Sequence, residues 1–342
     1  MFSSSRFKEG MTMKTTCKKI FACLLMSILV MGTIAGCGSA SSTSGGSGGA
    51  KILFIMTDTN DTFRATLSDA VVAAGKAQGV TLDMVETGDS VQDQLTLITE
   101  AKSKGYSAII LRSADANTAP QMNVASNDLP IIYVNAEPIK DHLTADKYVF
   151  VGSDEYQAGQ YQAEYVIKKL NNPKSLNVII FQGEAGHSAT IGRSKSVKRT
   201  LKSAGCNATY VFVDSANWSD AEAKEKLGIF MKTGQSVDAI FCNNDTMALG
   251  TIEGMKEYGL DYKKIPVCGV DATADGCASI QAGEMSFTVL QDAKNQAASA
   301  VSAAVTLGAG GSLKDIEGST SDLKYVYVPF VPVDASNVSQ FK

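Results

Sequence analysis

Histidine and tryptophan are almost missing from this chain, with two and one in 342 residues. Its seven cysteines are scattered and never spaced Cys-x-x-Cys, which excludes a zinc module and a dense disulfide framework. Basic residues are not in excess: 31 Lys and Arg stand against 35 Asp and Glu, so the electrostatic footprint of a nucleic-acid binder is absent. There is no phosphate-cradling GxxxxGK[ST] and no nucleophile elbow set between a strand and a helix. Glu184, His187 and Asp271 could serve as acid–base groups, but no nucleophile or metal cluster accompanies them, which argues against an enzyme. What the chain does have is 44% hydrophobic and 19% charged residues, enough for a packed core. Its length suggests two domains.

One apolar run stands apart, Ile20 to Met31, flanked by Lys14, Lys18 and Lys19. It is too short to span a bilayer and fits a secretory signal peptide over residues 1–36. It ends in Ile34-Ala35-Gly36-Cys37, which resembles a lipobox, so lipidation at Cys37 is expected. Residues 38–49 contain only Gly, Ser, Ala and Thr, the composition of a flexible leash, and 37–50 reads as a lipid-anchored linker. Removing 1–36 takes away five basic residues and one acidic one, moving the net charge from -4 to -8. A helix-turn-helix before residue 51 has no room, which excludes a repressor. Cys206, Cys242, Cys268 and Cys277 remain in the body and are expected as free thiols.

From Lys51 onward, short apolar runs alternate with helical patterns. Strands are expected at 52–56, 81–85, 108–111, 131–134, 149–151, 177–181, 209–213, 239–242, 267–270 and 287–290. Helices are expected at 62–78, 91–104, 157–170, 220–232, 247–258 and 293–307. Continuous apolar strands separated by helices mean parallel sheets covered on both faces. About ten strands are too many for one small sheet, so the fold class is α/β with two doubly wound parallel-sheet lobes.

Ligands of open parallel sheets bind beyond the carboxyl ends of the strands. Those positions hold Asp61, Phe63, Arg112, Asn135, Glu184, His187, Trp218, Asn244, Asp245, Asp271 and Gln291. Each alone reads as a loop or cap residue; Asp61 alone is better read as a helix cap. Together they supply paired donors and acceptors and two aromatic plates, the requirements of a neutral polyol.

The chain is similar to the periplasmic galactose/glucose-binding proteins, the substrate-binding subunits of sugar ABC transporters. The stretches that carry the likeness are Asn60-Asp-Thr-Phe63, 130–138, Val151-Gly-Ser-Asp154, Gly183-Glu-Ala-Gly-His187 with Arg193, Asp214-Ser-Ala-Asn-Trp218, 243–250, Gly269-Val-Asp271, 288–293 and Val328-Pro-Phe330. The resemblance implies the type I periplasmic binding fold, with two lobes joined by three hinge crossovers near 152–154, 291–293 and 327–329. The amino lobe is then 51–152 plus 292–327, and the carboxyl lobe 153–291 plus 328–342. It implies a hexose such as galactose, glucose or methyl galactoside, stacked between Phe63 and Trp218. Asp61, Asn135, His187, Arg193, Asn244, Asp271 and Gln291 would hydrogen-bond it. A neighbouring carboxylate would orient Arg193, and His187 could donate at one ring nitrogen and accept at the other. Implied partners are membrane permease subunits, the location is extracytoplasmic, and no cofactor is implied; the alternative is a lipoprotein that senses sugar for a membrane receptor such as a chemoreceptor or sensor kinase.

Three departures stand out. The family's aspartate two residues after the histidine, which serves the anomeric hydroxyl, is Ala189 here, with Thr190 next to it. Gln291 replaces an asparagine. The family's calcium loop corresponds to 170–177, which lacks alternating carboxylates, so no metal is expected. Ala189 opens the possibility of a C1-substituted sugar. Arg112, unusual beside a neutral sugar, is either a salt-bridged surface residue or a ligand-proximal group for an acidic one.

Overall fold

The computed structural model describes residues 49–341; the expected signal segment, Cys37 and nearly all of the leash lie outside them. The first half runs β1 (Lys51–Met56), α1 (Thr62–Ala77), β2 (Thr81–Glu86), α2 (Val91–Ala101), β3 (Ala108–Leu111), α3 (Ala119–Ala125), β4 (Ile131–Val134) and β5 (Tyr148–Gly152). The second half continues with α4 (Glu155–Lys169), β6 (Ser175–Gln182), α5 (Ser188–Ser203), β7 (Asn207–Ser215), α6 (Asp220–Met231) and β8 (Ala239–Cys242). Then come α7 (Asp245–Tyr258), β9 (Val267–Cys268), α8 (Ala274–Gln281), β10 (Phe287–Leu290), α9 (Ala293–Gly308), β11 (Tyr325–Tyr327) and β12 (Val331–Asp334).

The strands form two six-stranded sheets, ordered β11-β5-β4-β3-β1-β2 and β12-β10-β9-β8-β6-β7. Strand β1 shows how each sheet is buried on both sides. Ile52, Phe54 and Met56 face one apolar cluster, with α1 and α9. Leu53 and Ile55 face the other, with α2 and α3. Period-two alternation between two apolar faces is what makes the strand read as a continuous hydrophobic run.

The chain leaves the first sheet after Gly152, returns after Leu290 and leaves again after Tyr327. Hydrogen bonds tie these three passages together. Ser153 Oγ donates to the Val328 carbonyl at 2.7 Å, and Gln296 Nε2 donates to Ser153 Oγ at 2.9 Å.

Three details differ from the sequence reading. Strands β11 and β12 are additional, and β12 pairs antiparallel with β10, so the second sheet is mixed. Strand β9 is regular only over Val267–Cys268, although Gly269 and Asp271 still donate to β10 carbonyls before the backbone turns left-handed at Asp271 and Ala272 (φ 119° and 51°). The helices α3, α5 and α8 were not anticipated. The buried face of α5 is made largely of Ala189, Thr190, Gly192, Ser194 and Ser196, which gives no apolar stripe to read. Segment 170–177 turns through left-handed Asn171 and Asn172 and runs into β6 at Ser175, and the four body cysteines are buried free thiols.

The small face of α5 lets α4 approach closely. A Cβ at Gly159 would overlap the Arg193 carbonyl, and one at Gly192 would meet Glu155. Gly159→Ala therefore strains backbone against backbone. It is expected to cost ~1–3 kcal/mol in denaturant unfolding, as overpacked cores do. An unchanged unfolding midpoint would show that the helices separate freely.

Candidate ligand-binding site

The carboxyl ends of both sheets meet at a small, half-enclosed cavity. It is lined by Asp61, Phe63, Arg64, Arg112 and Asn135 after strands of the first sheet, by His187, Ala189, Arg193, Trp218, Asn244 and Asp271 after strands of the second, and by Gln291 between them. All nine residues expected to bind ligand line this one cavity, and so does Arg112. Glu184 lies beside it rather than in its wall. Thr190 is buried but does not line it, so its hydroxyl does not replace the carboxylate missing at Ala189.

Several of these side chains are helix caps. Asp61 Oδ1 accepts from Arg64 N at 2.9 Å at the start of α1, and Asn244 Oδ1 accepts from Met247 N at 2.9 Å at the start of α7. His187 Nδ1 accepts from Ala189 N at 3.1 Å at the start of α5. That bond places the proton of the neutral ring on Nε2. The free choice of tautomer expected from sequence is therefore removed, and His187 faces the cavity as a donor.

Arg193 is gripped on every side. Nε donates to Glu155 Oε2 at 2.6 Å, Nη1 to the Asn243 carbonyl at 2.5 Å and Nη2 to Gln291 Oε1 at 2.8 Å, with Asp271 at 4.0 Å. Gln291 thus spends its oxygen on Arg193 and keeps its amide NH₂ for a ligand. Burial works against the Arg193 charge, but Glu155 and Asp271 outweigh it and hold the guanidinium protonated. Burial, joined by Arg112, Arg193 and Arg64, pushes the His187 pKa well below its usual value. Burial likewise pushes Asp271 well above the carboxylate range, against the pull of Arg193.

Arg112 corrects an expectation. It is 2% exposed, not a surface residue, and its Nη2 pairs with Glu184 Oε2 at 3.1 Å. Its Nε reaches Asn135 Oδ1 at 3.4 Å. Arg64 was missed altogether. The available signal was its position in the first turn of the helix that Asp61 caps, which aims it at the same mouth.

Phe63 belongs to the apolar cluster of the first sheet, and Trp218 packs on a cluster of the second, so each lobe supplies one ring. Trp218 also meets His187 edge-to-face at 5.3 Å. The backbone is left-handed at Asn135, Trp218 and Asp271 (φ 61°, 66° and 119°). For residues other than glycine such conformations cost about 1–3 kcal/mol each and persist where surrounding structure enforces them. Gly183 makes room for the Trp218 ring: any Cβ there would overlap it.

Two lobes that close hydrogen-bonding groups and two aromatic faces around a small cavity define a solute-binding protein. The chain belongs to the periplasmic binding proteins: the family described as a periplasmic binding protein domain matches residues 52–312. The D-galactose/methyl-galactoside binding periplasmic protein of Haemophilus influenzae is 30% identical over 272 residues, covering 75% of this chain and 80% of that one. A Rhizobium meliloti protein named for rhizopine binding is 28% identical over 267 residues, covering 77% and 83%. Among solved structures, an ABC transporter solute-binding protein from Bacillus halodurans with bound myo-inositol matches with TM-score 0.76 and 28% identity. It covers 87% of this chain and 99% of that one.

Two outcomes are expected. Gly183→Ala should displace Trp218 and weaken ligand binding by about tenfold or more, with far-UV circular dichroism unchanged. Full affinity in that variant would separate the ring from the ligand. The second concerns pH. His187 has a pKa below 6.5 in the closed cleft, whereas an opened, hydrated cleft returns it toward 6.5. Its contribution to affinity is therefore full above that pH and is lost as pH falls below it. Asp271 acts in the opposite sense, so the comparison is with His187→Gln. The affinity advantage of the native protein over that variant should shrink on acidification from pH 7 to 5.

Proposed function

We propose that this chain is the extracytoplasmic binding subunit of an ABC importer for a small, neutral, ring-shaped polyol, and that it binds without chemical turnover. The observation that carries this reading is one aromatic ring from each lobe, Phe63 and Trp218, lining a cavity otherwise walled mainly by hydrogen-bonding groups. Apolar C–H faces stack on the rings, while hydroxyls meet Asp61, Asn135, His187, Asn244, Asp271 and Gln291. Hinge closure on the ligand would present the closed form to permease subunits, and a chemoreceptor or sensor kinase could read the same form. In this reading Cys37 carries the lipid that anchors the protein outside the cytoplasm.

Galactose, glucose and methyl galactoside remain within the reading. Ala189 favours a ligand whose anomeric oxygen is substituted, that is, a methyl glycoside or another C1-substituted sugar. The relative named for D-galactose and methyl galactoside and the relative with bound myo-inositol support a ring-shaped polyol as the ligand class. An acidic sugar is disfavoured, because Arg112 and Arg64 already face Glu184 and Asp58.

Calorimetry against myo-inositol, galactose, glucose, methyl galactosides and galacturonic acid tests this. One site per chain is expected, with a methyl galactoside tightest. A free hexose should lose roughly 1–3 kcal/mol for its unpaired hydroxyl, and Ala189→Asp should recover part of it. Preference for the uronic acid, or turnover of any ligand, would overturn the proposal.

A further inference from the structure

Arg64, on α1 of the first lobe, is 9% exposed and lines the cavity. Its Nη2 pairs with Asp58 Oδ1 at 3.1 Å and its Nη1 with Glu184 Oε1 at 3.3 Å. Its Nε is buried and has no hydrogen-bond partner in the protein. A buried donor left unsatisfied costs about 1–3 kcal/mol, so a wall residue that retains one is poised for an acceptor that arrives with the ligand. Glu184 belongs to the second lobe, after β6. Its two oxygens divide between two arginines of the first lobe, Oε1 to Arg64 and Oε2 to Arg112 at 3.1 Å.

We infer that Arg64 is a further ligand-binding residue, its Nε–H donating to a ring or hydroxyl oxygen, and that Glu184 is the positioning residue that sets Arg64 and Arg112 from across the cleft. This rests on the polyol reading of the cavity. The guanidinium keeps its charge and cannot accept a hydrogen bond, so this corner of the site takes an oxygen and repels an ammonium group. Because the carboxylate and the arginines sit on opposite lobes, their pairing is made only on closure. The side chain of Glu184 is 38% exposed, so salt can screen both pairs. A neutral ligand thereby acquires a salt-dependent affinity that hydroxyl hydrogen bonds alone do not confer.

The test uses the full body with myo-inositol and methyl galactoside at low and high sodium chloride. Native affinity should fall about fivefold on raising salt. Glu184→Gln should bind about fivefold more weakly at low salt and lose the salt response. Glu184→Asp, which keeps the charge, should retain part of that response. Arg64→Lys keeps a charge for Glu184 but has no Nε donor. It should therefore weaken binding at both salts while preserving the slope. Small-angle scattering of the ligand-free protein reads closure without any ligand: native protein should expand with salt, and Glu184→Gln should be expanded at both salts. If none of the polyols binds but scattering responds as stated, the polyol reading fails and the cross-cleft pairing stands. If they bind, and Glu184→Gln leaves affinity, salt slope and scattering unchanged, the role of Glu184 is overturned. If Arg64→Lys binds like the native protein, the role of Arg64 is overturned. Absence of both binding and scattering response overturns both readings.

Discussion

The pairing of Glu155 with Arg193 is the constraint on which the second lobe and the floor of the cleft depend. Both groups are almost fully buried, and removing water from a charge is costly unless the partner is close and the remaining donors are satisfied. Here both conditions hold, since Arg193 also reaches the Asn243 carbonyl and Gln291. The pair can form only because Gly159 and Gly192 let α4 and α5 touch backbone to backbone. One guanidinium therefore joins helix α5, the loop after β8 and the passage between lobes at Gln291. Loss of either partner would leave an unpaired buried charge, which costs about 3–5 kcal/mol in comparable sites.

Helix capping and ligand binding were set against each other as readings of Asp61, and likewise of Asn244. The geometry makes them complementary. Asp61, His187 and Asn244 each cap a helix and line the cavity at the same time. A cap bond engages one atom of the side chain and locks its rotamer, so the rest of the side chain stands at the cavity wall already oriented. For His187 the same bond also chooses the tautomer. Preorganisation of this kind reduces the ordering cost of binding.

Much of the fold was legible because buried parallel strands must be continuously apolar. Runs such as Ile52–Met56 and Ala239–Cys242 announce themselves. Strand β12 does not, since Val331 to Asp334 contains a proline and has only Val333 fully buried. Helix α5 is hidden for the opposite reason: its inward face is small and polar to admit α4. The site was legible as a set of strand-end residues, and the resemblance to sugar-binding proteins sharpened it. Burial of Arg112 was not legible, because no local pattern shows that Glu184 lies 3.1 Å away across 72 positions.

The charge arrangement explains why three arginines can surround a site for an uncharged ligand. Each has a carboxylate of its own: Glu155 for Arg193, Asp58 for Arg64, and Glu184 shared between Arg64 and Arg112. These carboxylates stand behind or beside the cavity, so the guanidinium groups enter it as oriented donors rather than as free positive charge. Asp61 and Asp271, which do line the wall, supply the acceptors. Donors and acceptors are then both fixed before a ligand arrives. A hydroxyl, which donates one bond and accepts others, is the group that can use both. A carboxylate ligand would have to displace Glu184 from its arginines. The neutral ligand proposed above is thus consistent with how the arginines are paired.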